Sequence, residues 1–266
     1  MSAATGSLTQ NADVRELFGI LHDNNIDTRD LTAIISSVAA MERQLSAAVN
    51  ELTSMRRELA AMREERSHPV KTALEKEVRL LSDKIKGIRA KLKAVKDGII
   101  SECRRAVAAF KGAGVSALNN LAGFFEIKPA LESLRSSISD GITSNQASIA
   151  RIGRISEAYH TAGRAIRNIG RAISGQEPVP DIKANGALAR LIETPFRVQL
   201  RSLTGSLREV NRALAGLDRL EKAAARRAEH DRPSTLGTMK ALQQQVNQKK
   251  RDAPAQEKAR QNEAAI

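Results

Sequence analysis

Seven arginines recur along the last predicted helix at spacings of four and seven residues. At about 100° per residue they fall within a sector of about 60°, and this sector contains no Asp or Glu. The apolar positions of the segment centre about 140° away, so the arginines face outward. Guanidinium groups along one helix face can follow a phosphate backbone, with an affinity that falls steeply as salt is added. This arginine stripe consists of Arg190, Arg197, Arg201, Arg208, Arg212, Arg219 and Arg226.

The arginine stripe has two further interpretations, which the sequence leaves open. It is also consistent with a solvated helix face, or with a basic face that pairs with the acidic helix near the N-terminus. A smaller set on the preceding helix, Arg164, Arg167 and Arg171, has the same interpretations. Almost no aromatic residues accompany either set, so any nucleic acid would be held by its backbone rather than by base stacking.

Motifs for enzyme chemistry are weak or absent. Residues 112–117 resemble a dinucleotide-binding loop, but they follow a helical pattern rather than a strand. Residues 23–34 begin like a calcium loop, but Thr28 and Ile34 replace the required glycine and glutamate. The four histidines have no metal-ligand spacing with one another or with Cys103. We therefore predict a protein that is not an enzyme, with no catalytic, cofactor-binding or metal-binding residues.

The elements that position these residues are long helices with heptad seams. Apolar residues recur every seven positions from Leu31 to Leu59 and again from Leu74 to Val95, with a second apolar series between them. Such stripes bury against another helix. Ser67-His68-Pro69 interrupts the pattern, which is consistent with a helical hairpin or with one kinked rod. The hairpin is favoured because the heptad register slips here and because the first helix is acidic and the second is basic.

Three local patterns give sharper predictions. Asp13 and Glu16 have the spacing of an N-cap and its N3 partner in a short first helix. Asp140-Gly141 is a candidate break in the long helix that starts at Lys128-Pro129. Gly163 and Gly170, near the end of that helix, are expected to let a partner helix approach closely.

Glycine, proline and composition set the remaining boundaries, and Pro195 is expected to kink or restart the last helix. The predicted order begins with a disordered N-terminus at 1–12 and a short helix plus coiled-coil helical hairpin at 13–111. A connector helix (115–126) and a long helix follow within 112–174. The chain then continues with a linker at 175–186, a basic amphipathic helix at 187–229 and a disordered polar tail at 230–266.

Composition defines the class. Trp is absent, aromatic residues make up 2% of the chain and the net charge is +13. We predict an all-α fold, an elongated antiparallel helical bundle with a coiled-coil helical hairpin. The single Cys103, the lack of a signal peptide and the lack of a long apolar run predict a cytoplasmic protein. The Phe-containing segment 110–127 is short, so it is interpreted as a bundle cap rather than a membrane-binding helix.

Several stretches together resemble a known family: MERQLSAAVNELTSMRRELAAMREE, HPVKTALEKEV, FKGAGVSALNNLAGFFEIKPALESLR and EAYHTAGRAIRNIGRAISG. They resemble uncharacterised proteins carried on integrative and conjugative elements of gut Firmicutes, over about residues 14–228. The resemblance implies a mobile-element setting in which DNA is processed and transferred. It carries over no site residues, because the family has no established activity.

The sequence therefore predicts a non-enzymatic coiled-coil structural or adaptor protein of a mobile genetic element. It would act through helix–helix contacts, either with a protein partner or by self-association. The alternative is sequence-non-specific nucleic-acid binding through the arginine stripe.

Overall fold

The computed structural model describes residues 8–61, 68–114, 126–178, 187–230, 239 and 242–247. Side chains are not described for residues 68–70, 156, 159–160, 187–193 and 227–230. The chain divides into two compact units, 1–221 and 222–266. A 3-10 turn at Leu8–Gln10 and a short helix, α1 (Ala12–Asp23), come first. The long helices are α2 (Arg29–Ala61), α3 (His68–Ala113), α4 (Lys128–Ile173) and α5 (Ala187–His230). The described ranges contain no strand, and the all-α class is confirmed.

The start of α1 differs from the prediction. Its N-cap is Asn11, whose side-chain oxygen accepts hydrogen bonds from the backbone N–H groups of Asp13 at 3.0 Å and Val14 at 3.3 Å. Asp13 lies inside the first turn and pairs with Arg104 of α3 at 2.9 Å. The predicted Asp13 cap is wrong because Asn11, an equally good capping residue, lies two positions earlier. Leu8 is buried in the core, so residues 8–12 are ordered rather than part of a disordered N-terminus.

α2 and α3 pack against each other in antiparallel orientation. Lys96 of α3 is almost fully buried, and its Nζ lies 2.7 Å from Oε1 of Glu42 on α2. This pairing requires the chain to reverse between the two helices, so the structure has the hairpin rather than the kinked rod. Every residue described from the two predicted heptad seams is buried.

α3, α4 and α5 complete an antiparallel bundle within the first unit. Lys91 reaches Ser137 and Glu77 reaches Arg151, so α4 runs opposite to α3. The last side of the bundle is formed where Ser206 of α5 donates a hydrogen bond to Gln44 of α2 at 3.0 Å. Each long helix therefore has two antiparallel neighbours, the arrangement of an up-down-up-down bundle.

Neither predicted interruption divides a helix, because both segments form continuous helices. α4 continues through Asp140-Gly141, and a Cβ at Gly141 would lie 3.1 Å from Ile88 and 3.6 Å from Leu203. This glycine is needed for close packing against α3 and α5, and it does not break the helix. α5 likewise runs through Pro195 as one helix, so the predicted restart at Pro195 is wrong, while the predicted kink there stays a prediction. The predicted connector helix at 115–126 lies outside the described residues except for Glu126, as does most of the predicted tail.

Candidate functional site

The arginine stripe lies on the solvent side of α5, because the opposite side of the helix is buried. Phe196, Leu203, Val210 and Leu217, seven residues apart, are fully buried in the bundle. Five stripe residues of the first unit are exposed: Arg197, Arg201, Arg208, Arg212 and Arg219. Arg226 is exposed in the second unit, and the side chain of Arg190 lies outside the described residues.

Arg212 and Arg219 of the arginine stripe form ion pairs with described residues. Arg212 contacts Glu209 of the same helix at 2.7 Å, and Arg219 contacts Asp30 of α2 at 2.6 Å. The second pair is the contact with the acidic first long helix that the sequence left open. Arg201 and Arg208 are exposed and have no carboxylate partner among the described residues. The positive charges of Arg201 and Arg208 are therefore not compensated by a described carboxylate.

A groove between α2 and α5 extends the basic surface. Its volume is about 520 Å³, its floor is made of Ala and Ser side chains, and its charged lining consists of Arg43, Glu209, Arg212 and Arg219. Arg43 belongs to α2 and therefore adds a cation that a search along α5 alone could not find. The groove has a net positive lining, with its one carboxylate already paired to Arg212.

The smaller arginine set lies on the last turns of α4. Nε of Arg167 donates to the backbone carbonyl of Gly163 at 3.2 Å, and Nε of Arg171 donates to that of Glu177 at 2.7 Å. Neither Arg167 nor Arg171 pairs with a carboxylate in the described part of the chain. Backbone carbonyls leave the positive charge of these side chains uncompensated.

An exposed apolar surface on α4 is the feature that the sequence reasoning did not identify. The seam of α4 is fully buried at Leu131, Leu134 and Ile138. The same heptad positions recur at Ile166, Ile169 and Ile173, whose exposed fractions are 71%, 61% and 83%. We call these three isoleucines the exposed α4 face. Scattered apolar residues are ordinary on a protein surface, but three large apolar residues exposed on one side of a helix make this side a candidate interaction site.

The exposed α4 face arises because α4 extends past its neighbours. The Lys91–Ser137 and Glu77–Arg151 contacts fix the register of α4 against α3. Because the two helices are antiparallel, His68, the first residue of α3, is then level with residues 159–161 of α4. The Asn145–Phe196 hydrogen bond and the Gly141–Leu203 contact place Ala187, the first residue of α5, level with residues 154–157. Residues 161–173, here called the α4 overhang, therefore lie beyond the first described turn of both helices. α3 and α4 each contain 46 residues and α5 contains 44, so the overhang comes from the offset between the helices, and their lengths in the sequence carry no signal of it.

The predicted role of Gly163 and Gly170 is not observed. A Cβ at either position would meet no atom within 4 Å, so no helix of this chain packs closely there in the described structure. The close approaches occur elsewhere: a Cβ at Gly216 would lie 2.9 Å from Ile34, and one at Gly98 would lie 3.2 Å from Ile127.

Two buried ionisable groups, Cys103 and Glu77, have pKa values shifted by their surroundings in the bundle. Burial, followed by the charges of Asp13 and Glu102, raises the pKa of the Cys103 thiol to about 12, so this thiol stays protonated at neutral pH. Glu77 accepts two hydrogen bonds from Arg151, at 2.7 and 2.8 Å, and one from Ser148 at 2.5 Å. The Arg151 hydrogen bonds are the main cause of the lowered pKa of Glu77, and they outweigh its burial. Among the described residues, no group of three or more His, Cys, Asp or Glu side chains is placed to hold a metal ion.

The fold and these surfaces define an all-α bundle protein with a basic face on α5 and an exposed apolar face on α4. A family model described as a family of unknown function, DUF6674, matches residues 10–261, so the chain belongs to this family. No curated protein matches the chain, and no solved structure does. Within the described residues, none of the helices combines the length and apolar character needed to cross a bilayer.

Proposed function

We propose that this protein is a non-enzymatic structural or adaptor protein that assembles through helix–helix contacts at the exposed α4 face. The supporting observation is the continuation of the α4 heptad seam into Ile166, Ile169 and Ile173, where the chain supplies no described neighbour. A helix with an apolar stripe gains stability when that stripe is covered by another helix.

The energy available from the exposed α4 face suits a reversible contact. Fully burying an isoleucine side chain is worth about 1.5–3 kcal/mol. The loss of translational and rotational freedom on association costs at least about 4 kcal/mol. Full burial of the three isoleucines therefore exceeds this cost by at most about 5 kcal/mol, which supports a weak, reversible contact rather than an obligate complex.

The adaptor proposal is tested by co-purification from the native host. The full chain, the Ile166→Glu/Ile169→Glu variant and the Arg201→Glu/Arg208→Glu variant are compared by quantitative mass spectrometry and nucleic-acid quantification. We expect the isoleucine variant to lose specific protein partners, including untagged copies of the chain itself, while the arginine variant keeps them. Equal protein recovery from all three would contradict the proposal.

Sequence-non-specific nucleic-acid binding is the second candidate function. It is supported by the exposure of Arg201 and Arg208 without carboxylate partners, next to a groove lined by further arginines. Phosphate contacts release counterions, so the logarithm of the association constant of the full chain for duplex DNA should fall linearly with the logarithm of salt concentration.

Charge-reversal variants test this second function. Replacing Arg197, Arg201 and Arg208 by Glu should abolish DNA binding at low salt. A charge-matched control replaces Arg56, Arg79 and Arg135, which are exposed on other helices, by Glu and should retain most of the binding. If both variants lose affinity equally, the binding reflects net charge alone and not the arginine stripe.

A cytoplasmic, mobile-element setting completes the proposal. Its support is the similarity of four sequence stretches to proteins carried on conjugative elements of gut Firmicutes, together with a single buried cysteine that suits a reducing compartment. In this setting the protein would link components of a transfer or DNA-processing apparatus.

A further inference from the structure

We propose that the occupant of the exposed α4 face is the same face of a second copy of this chain, with the two α4 overhangs antiparallel about a two-fold axis. This inference rests on the proposed adaptor function and names its first partner. It follows from the composition, the flanks and the position of the face.

The exposed α4 face contains no charge. At about 100° per residue, the three isoleucines and four nearby alanines occupy a sector of about 120°. The arginines of the smaller set centre about 170° away, on the opposite side of the helix. An uncharged face offers nothing that would select an acidic partner, and a second copy brings no like charge into the contact. The alanines, all exposed, are Ala158, Ala162, Ala165 and Ala172.

The flanks of the exposed α4 face allow two helices to come close. Thr161 and Asn168 lie along one edge, and Gly163 and Gly170 lie along the other. A Cβ at either glycine would have no neighbour within 4 Å, so no described atom of the chain covers the surface at these two positions. Small residues at a helix interface reduce the distance between the two backbones and increase side-chain contact.

The position of the overhang favours an isologous contact. The overhang spans 161–173, about 20 Å of helix, and its seam continues the buried seam of the bundle. In an antiparallel pair centred near Ile169, Ile166 of one copy lies against Ile173 of the other. Each overhang then covers the apolar face of the other, beyond the first residues of α3 and α5. A two-fold contact of this kind closes on itself and gives a dimer rather than a filament.

Sedimentation velocity over a range of concentrations tests the dimer with the full chain. We expect the wild type to dimerise reversibly, and Ile166→Glu/Ile169→Glu to weaken dimerisation at least tenfold while its circular dichroism is unchanged. The matched control places glutamate at two other exposed apolar positions, Leu80 and Val198, and should dimerise like the wild type. A dimer that survives the isoleucine substitutions would overturn the inference.

Cysteine cross-linking tests the two-fold geometry. Cys103 is fully buried, so an added surface cysteine is the reactive thiol of the described chain. Under mild oxidation by copper phenanthroline, Ile169→Cys should form a disulfide-linked dimer, since a residue near the axis meets its own copy within disulfide distance. Arg167→Cys, on the opposite side of the helix, should not cross-link. Equal cross-linking at both positions would contradict the proposed arrangement.

The outcomes separate this inference from the adaptor proposal. If the wild type is monomeric at all concentrations but loses specific partners on Ile166→Glu/Ile169→Glu substitution, the second copy is wrong and a different protein occupies the face. If binding to anionic vesicles depends on the isoleucines and no dimer forms, a membrane surface occupies it and both proposals are wrong. If no interaction depends on the isoleucines, both are wrong as well.

Discussion

Single glycines decide how closely the helices of the bundle approach one another. A Cβ at Gly216 of α5 would lie 2.9 Å from Cγ1 of Ile34, a fully buried side chain of α2. A Cβ at Gly87, on the exposed side of α3, would meet nothing within 4 Å. The two positions share the same helical backbone but differ in what surrounds them.

We expect Gly216→Ala and Gly87→Ala to change the free energy of unfolding in opposite directions. Replacing a helical glycine by alanine stabilises the helix by about 1 kcal/mol, and Gly87→Ala should gain most of this. At Gly216 the cost of overpacking, about 1–3 kcal/mol, exceeds that gain, so the variant should lose about 1 kcal/mol. Chemical denaturation of both variants measures the difference. If both are stabilised, α2 and α5 are less tightly packed than described.

Glu77 is the buried carboxylate whose protonation is expected to affect stability. Its lowered pKa means that the folded state binds the proton more weakly than the unfolded state does. The stabilisation from Glu77 is therefore complete above the ordinary glutamate value of 4.5 and is lost as the pH falls through the lower, folded value.

We expect Glu77→Gln to lower the free energy of unfolding by about 1 kcal/mol at pH 7, because it weakens hydrogen bonds to a charged group. The difference from the wild type should shrink as the pH falls below 4.5. The control, Glu75→Gln, changes an exposed carboxylate of the same helix and should have little effect. Urea unfolding at a series of pH values measures this difference. If the difference in the free energy of unfolding between the wild type and Glu77→Gln were the same at every pH, protonation of Glu77 would not be coupled to folding.

Individual elements were predicted well where periodicity alone determines burial. The heptad seams of α2 and α3 are buried because a helix with a sevenfold apolar repeat has one face to cover. Periodicity does not predict the role of Gly141, because a glycine in a helical pattern is consistent with either a helix break or a close contact between helices. The close contact is identified only by Ile88 and Leu203, which belong to other helices. The exposed α4 face shows the same limit, since a heptad pattern predicts a partner without saying where that partner comes from.

Hydrogen exchange should divide α4 into two parts. In the monomeric Ile166→Glu/Ile169→Glu variant, amides of 161–173 should exchange faster than those of 131–155, because the overhang lacks the packing that suppresses local opening. In the wild type, protection of 161–173 should rise with protein concentration. Uniform protection along α4 in the variant would show that the overhang is covered within a single chain.

The whole first unit depends on contacts between its first and last long helices. α5 donates hydrogen bonds to α2 from Gln199 to the backbone carbonyl of Ala48 and from Ser206 to Gln44. It also contributes large side chains to the same cores as α2, including Phe196 and Leu203. Which helices become neighbours was not predictable from the sequence, since the seams of all four long helices are apolar and of similar length.

A chain ending at residue 186 should lose cooperative unfolding. Without α5, the inner faces of α2 and α4 lose their cover, so the truncated chain should bind the dye ANS and keep helical circular dichroism without a sharp thermal transition. Removing only residues 248–266, which lie beyond α5, provides the control and should leave the transition intact. A sharp transition for residues 1–186 would show that three helices suffice.

The pairing of α2 with α5 has a consequence for synthesis on the ribosome. At about 5–20 residues per second, α2 emerges many seconds before α5, its last neighbour. Throughout that interval the side of α2 that packs against α5, where Ile34 lies beside Gly216, is open to water and to other nascent chains. A chaperone that holds apolar helices should therefore bind the nascent protein after α2 is made and release it only once α5 has left the exit tunnel.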